Sequence, residues 1–255
     1  SMLHSESLLE LTRGRIVEST HLGSIAVVDS QGALLHKIGD PNTVAFLRSS
    51  AKPFQALPFV ERGGAEHFGF TPRELALACA SHETAQIHLD AVAALHTKIG
   101  IRESDLQCGP HLPSDSSMLK RAIRENITPT ANFNNYSGKH TAMLAHAKMR
   151  GLPLDSYLSP DHPIQRDILA GLSDLSALPA DKIPLGVDGC SAPNFALPLY
   201  NAALAMARAG LATIAVGPSL DPALAARDTR TTALFTGSVA MLDRSFATGR
   251  MLPAA

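Results

Sequence analysis

The chain has 255 residues, 45% of them hydrophobic and 18% charged, with a formal net charge of −1. That length and apolar fraction suffice for one core or two modest ones, and they exclude a disordered chain, a collagen and a disulfide-stapled mini-protein. The balance of 22 basic and 23 acidic residues leaves no electrostatic footprint for nucleic acid or an anionic membrane surface.

Ser1-Met2 reads as the remnant of an expression tag, and residues 1–12 as that tag and a flexible start. Ser5, Glu6, Ser7 and Glu10 interrupt any apolar region that a signal peptide would need. Residues 15–19 and 24–29 are β-rich, and Ser30-Gln31-Gly32 is a turn before a further strand over 33–38, which predicts an antiparallel sheet. From Ser49 the period becomes helical. Thr71-Pro72-Arg73-Glu74 is a helix start, with Thr as N-cap, Pro in the first turn and Glu three residues after the cap. Residues 85–99 repeat apolar side chains at helical spacing and Gly100 ends the run. Further helices are expected over 116–125, 138–149, 163–172 and 194–208, with a short buried strand over 183–187 entering a glycine-punctuated turn. The pattern is α+β: an antiparallel sheet, a helical cluster and a late strand. No linker marks a boundary, so residues 1–255 read as one unit with an irregular tail over 228–255. No stretch approaches the ~20 apolar residues of a membrane span.

Cys79, Cys108 and Cys190 are odd in number and widely spaced, which is no disulfide framework and points to a reducing cytoplasm. The chain has seven lysines up to Lys182 and none after it.

Four strings carry candidate chemistry. Ser49-Ser50-Ala51-Lys52 opens a helix, where residues three apart share a face, so Ser49 and Lys52 can meet. A neutral lysine can take the serine proton, and burial near other cations lowers its pKa. The helix N-terminus would favour the negative charge that develops. Ser-x-x-Lys is short, and Ser117 to Lys120 matches it too. Ala80-Ser81-His82-Glu83 joins two helical runs; a Ser-His pair there can be catalytic but is more often simply a capping serine. Asn134-Asn135-Tyr136-Ser137-Gly138-Lys139-His140 is a polar loop at a helix start, suited to a substrate carboxylate or to simple capping. Gly186-Val187-Asp188-Gly189-Cys190-Ser191-Ala192-Pro193 places an acid and a thiol on a tight turn. Cys108-Gly109-Pro110-His111 has no second half for a structural zinc.

In this order, together with Val17-Glu18-Ser19 and His21 and with Arg48 to Pro53, these strings resemble the asparaginase II family, the rhizobial-type L-asparaginases, over residues 13–210. The resemblance implies a fold similar to the serine β-lactamases and glutaminases, and hydrolysis of L-asparagine to L-aspartate and ammonia. Two Ser-Lys pairs carry the family's chemistry. The first maps onto Ser49 as nucleophile and Lys52 as base, and the serine of the second onto Ser81. Substrate binding would fall to Arg48, His82, Lys139, His140 and Asp188. No cofactor is required; a zinc ion in some members would map onto Cys190 and Lys139, with the remaining family cysteine replaced by Tyr136. The second pair's lysine has no equivalent here, and the final strands that would complete the sheet are not evident. An open sheet edge invites a second subunit, so a homodimer is expected. Two alternatives stay open. One is a truncated relative that binds an amino acid or a partner subunit without turnover. The other is a hydrolase of a different amide, although Lys-Thr-Gly and Ser-Asp-Asn strings are absent.

Overall fold

The structure, a computed structural model, describes residues 6–209. These residues form two compact units, one built from 6–43 with 198–209 and the other from 44–197.

The first unit starts with two hairpins. Strands β1 (Glu6–Arg13) and β2 (Ile16–Gly23) pair antiparallel. Gly14, at φ 64°, turns the chain between them in the left-handed region that glycine adopts without a Cβ penalty. Residues 6–13 are thus a strand where a flexible start was expected, because this glycine lets them fold back onto β2. Strands β3 (Ile25–Val28) and β4 (Leu34–Ile38) also pair antiparallel. Here the Asp29 carboxylate accepts from the backbone N–H of Gln31 and Ala33, and Gly32 lies at φ 91°. This is the turn predicted at residues 30–32, with an Asx contact as its lock.

The second unit carries β5 (Val44–Phe46), a 3-10 turn (Arg48–Ala51) and α1 (Lys52–Glu61). Helices α2 (Gly64–His67), α3 (Pro72–Ala78), α4 (Gln86–Ile99), α5 (Ser116–Arg124), α6 (Ser137–Met149) and α7 (Pro163–Ser176) follow, then β6 (Leu185–Val187) and β7 (Pro193–Pro198). The capping box at Thr71 is present: Glu74 N–H donates to the Thr71 hydroxyl, and Thr71 N–H donates to the Glu74 carboxylate at 2.8 Å. Gly100 closes α4 at φ 72°.

Helix α6 is the axis of this unit. It is buried from Ser137 to Ala147, and α1, α2, α3, α4 and α7 all contact it. A Cβ on Gly138 would collide with the Leu77 carbonyl, so that glycine is what lets α3 lie directly against the start of α6. The close approach brings the loop after α3 beside the loop before α6.

Helix α8 (Leu199–Arg208) returns to the first unit, where the Tyr200 hydroxyl donates to the Gly32 carbonyl at 2.7 Å. A helix had been expected over 194–208, but residues 193–198 are strand. Pro193 and Pro198 disfavour helical backbone just before each of them. Phe195, Ala196 and Leu197 are all buried in β7, the middle strand of a sheet ordered β5–β7–β6. The strand expected over 183–187 is shorter and less buried than predicted. Only Ile183 enters the core, while Leu185 and Val187 of edge strand β6 are exposed. Nor is there a single opening sheet. Among the described residues the architecture is mixed α+β with small antiparallel sheets, two of them two-stranded and one three-stranded. The irregular tail expected over 228–255 lies outside the described residues.

Candidate active site

The second unit gathers most of the sequence-predicted site residues at the start of α6. Arg48 leaves β5 with a left-handed φ of 52°, uncommon for a side-chain-bearing residue. Its backbone N–H donates to the Asn194 side-chain carbonyl on β7 at 3.1 Å. This contact turns the chain into the 3-10 segment and sets Ser49 at its start. Ser49 and Ser81 are both exposed, whereas Lys52, at the head of α1, is only 1% exposed.

The three residues are joined in a line. Ser49 Oγ lies 2.8 Å from Ser81 Oγ, and Lys52 Nζ lies 2.6 Å from the same Ser81 oxygen. Spacing allows Ser49 and Lys52 to share a face and meet. In the structure Ser49 belongs to the 3-10 turn, Lys52 to α1, and Ser81 is hydrogen-bonded to both. Ser81 caps no helix; the N-cap of α4 is Ala85.

Burial pushes the Lys52 amine down from 10.5 to about 8, and the neighbouring Lys139 pushes the same way, against the opposing pull of Asp188, Cys190 and Cys79. Near that pH a substantial share of Lys52 is neutral, the form that can accept a proton.

Lys139 sits in the first turn of α6 and is 3% exposed, with Nζ 3.0 Å from Cys190 Sγ. Cys190 lies on the turn from β6 to β7, with Asp188 Oδ2 4.0 Å from its sulfur. Asp188 is fixed by the Gly189 N–H at 2.9 Å and by Arg48 Nε at 3.5 Å. The Arg48 side chain stays largely exposed, and its remaining guanidinium N–H groups can meet an anion.

Tyr136 was not foreseen as a contributor. Its ring lies beneath both amines, with Lys52 Nζ 4.1 Å and Lys139 Nζ 4.7 Å from the ring centroid. Its hydroxyl is 3.3 Å from Ser49 Oγ. Asn134 shapes this loop by accepting from Tyr136 N–H and donating to the carbonyls of Cys108 and Gly109. The polar string around Tyr136 was the available signal; nothing in it says which of its members points at a serine.

His82 and His140 are placed differently. His82 is buried, accepts from Thr84 N–H at Nδ1 and lies 2.8 Å from Ser137 Oγ through Nε2. Both ring nitrogens are thus engaged within the protein. Burial pushes this imidazole down to about 4, helped by His88 and Lys52, so it is neutral at ordinary pH. His140 is fully buried and pairs through Nδ1 with the Tyr157 hydroxyl at 2.7 Å. Burial, with Lys139 behind it, holds His140 neutral too. His82 is tied to the start of α6 through Ser137, and His140 to Tyr157.

Among the described residues the donor set for a zinc ion does not assemble. Cys190 and Lys139 engage one another, Tyr136 turns its hydroxyl to Ser49, and among the described residues no group of three His, Cys, Asp or Glu side chains converges. A tetrahedral zinc site needs such convergence.

A serine pair hydrogen-bonded to a buried amine at the head of α1, beside the start of α6, is an arrangement suited to moving a hydroxyl proton. Comparison with known proteins then supplies the family. A family model described as L-asparaginase II matches residues 9–234. The chain belongs to the L-asparaginase II family. Comparison with curated proteins found no match.

Proposed function

We propose that this chain hydrolyses the side-chain amide of L-asparagine to L-aspartate and ammonia, with Ser49 as nucleophile, Ser81 as relay and Lys52 as base. The observation that carries the reading is the Ser49–Ser81–Lys52 line of 2.8 and 2.6 Å contacts ending on an amine with a pKa of about 8. Family membership supports the substrate class.

Neutral Lys52 takes the Ser81 proton as Ser81 takes that of Ser49, and the Ser49 oxygen forms a bond to the amide carbon. Backbone N–H groups at the helix start would hold the oxygen that becomes negative. The proton returns along the same line to the departing nitrogen, the C–N bond breaks, and ammonia leaves an aspartyl ester on Ser49. Water, deprotonated through the same relay, attacks the ester and regenerates the serine. The net balance is one water consumed and one ammonia released. Arg48 and Lys139 supply positive charge for the substrate's carboxylate, and Asp188 a negative charge for its ammonium. The reading carries with it the serine β-lactamase-like architecture that the resemblance implies.

A second assignment has its own observation. Lys52 contacts Ser81 directly, so Ser81 itself can be the nucleophile. Acid quenching during turnover, followed by peptide mass spectrometry, places the aspartyl ester on one serine. Ammonia release should vanish in Ser49→Ala. Unchanged release in that variant sinks the Ser49 assignment, and an ester on Ser81 would replace it. A cooperatively folded wild type that binds asparagine without releasing ammonia would establish the binding-only alternative.

A further inference from the structure

Tyr136 stands where three features of the site meet, and none of the steps above uses it. Its ring is the surface under two lysines that are both almost fully buried. An aromatic face attracts an ammonium, more strongly when water is excluded. Its hydroxyl is the one tyrosine oxygen near Ser49 among the described contacts.

Valence determines what that hydroxyl can do. In the reactive state Lys52 is neutral and offers a lone pair, so Ser81 donates to Lys52 and Ser49 donates to Ser81. Ser49 Oγ has one proton and two lone pairs. A third hydroxyl beside it must therefore donate. Tyr136 O–H filling one lone pair leaves the other for the substrate carbon, and holds the Ser49 proton on the side of Ser81. We propose that Tyr136 is a positioning residue of this site: its hydroxyl donates to Ser49 and selects the rotamer aimed along the relay, while its ring spaces the Lys52 and Lys139 amines. The two roles are separable, because Phe keeps the ring and removes only the donor.

The inference rests on the reading of Ser49 as nucleophile, and its test does not need asparagine to be the substrate. A fluorophosphonate, which phosphonylates an activated serine oxygen with loss of fluoride, is followed by the mass of the peptide carrying residue 49. Wild type, Tyr136→Phe and Tyr136→Leu are compared, and a thermal melt of each is recorded. The expected result is a labelling rate at Ser49 about tenfold lower in Tyr136→Phe, with the melting midpoint unchanged. Tyr136→Leu should label more slowly still and should melt lower, since it also bares the two lysines. If wild type turns over asparagine, Tyr136→Phe lowers kcat by a similar factor and leaves KM near its wild-type value, because the hydroxyl meets the nucleophile and not the substrate. Labelling of Tyr136→Phe at the wild-type rate, or a loss expressed entirely in KM, would overturn the inference while leaving Ser49 as nucleophile. Wild type that does not label at Ser49 overturns both.

Discussion

Both ends of α6 carry buried polar side chains, yet they differ in what their charges do. At its last turns His146 lies within 3.9 Å of Asp167, whose carboxylate accepts from Arg62 at 2.9 Å and Arg150 at 2.6 Å. There both arginines meet the acid. At the first turn Lys139 and Lys52 flank one aromatic ring, and Lys52 ends on a hydroxyl instead of a carboxylate. An amine paired with an acid stays a cation, whereas an amine buried against a hydroxyl and near a second amine gives up its proton more easily. Burial of polar groups alone does not mark a site; the mismatch in charge partners does.

Five measurements would break or sharpen that contrast. The largest effect is expected from Lys52→Met, which should lower ammonia release by roughly 10³-fold. Its melting midpoint should match or exceed that of wild type, since an apolar chain of similar length replaces a desolvated amine. A variant that loses fold instead of rate would show that Lys52 is structural, like the arginines at the other end.

Next in size is the pH profile of kcat/KM. With Lys52 required neutral and titrating at about 8, activity should fall about tenfold per pH unit below that value and level off above it. A flat profile between pH 6 and 8 would remove Lys52 as the base.

Acid stability probes both ends of α6 at once. Burial holds His82 and His146 down at about 4, against an ordinary 6.5, and His140 lower than its ordinary value too. Between pH 6.5 and about 4 the unfolded chain binds these protons and the folded chain does not. Stability should therefore fall as pH is lowered through that window, seen as a declining denaturant midpoint. His146→Gln should flatten part of the slope.

The smaller effects are purely structural. Asp167→Asn strips both arginines of their carboxylate and should cost about 1–3 kcal/mol with kcat unchanged. Thr71→Ala removes one half of the capping box and should cost about 1 kcal/mol, again without kinetic effect. A drop in kcat with Asp167→Asn would show the two ends to be coupled.

Local chemistry made much of this readable in advance. The α3 start at Thr71, the Gly100 stop and the 30–32 turn each rest on contacts within five residues of chain. The misplacements share a cause. Residues 6–13 become strand only because β2 lies alongside, and 193–198 become strand only because β5 and β6 flank them. Phe195-Ala196-Leu197 has no period that separates a buried strand from a buried helix turn.

For the site, sequence alone supplied the roster: the reactive side chains, the ordered strings that mark the family, and a serine–lysine spacing. Which serine meets the lysine was decided by tertiary structure. Gly138 lets α3 approach α6 closely enough to carry Ser81 between Ser49 and Lys52, across 32 and 29 residues of chain. The same packing lays the Tyr136 ring beneath two amines that lie 87 positions apart in the chain. Spacing rules see neighbours along one helix; contacts between elements, and the desolvation that lowers an amine's pKa, exist only once the chain has closed around them.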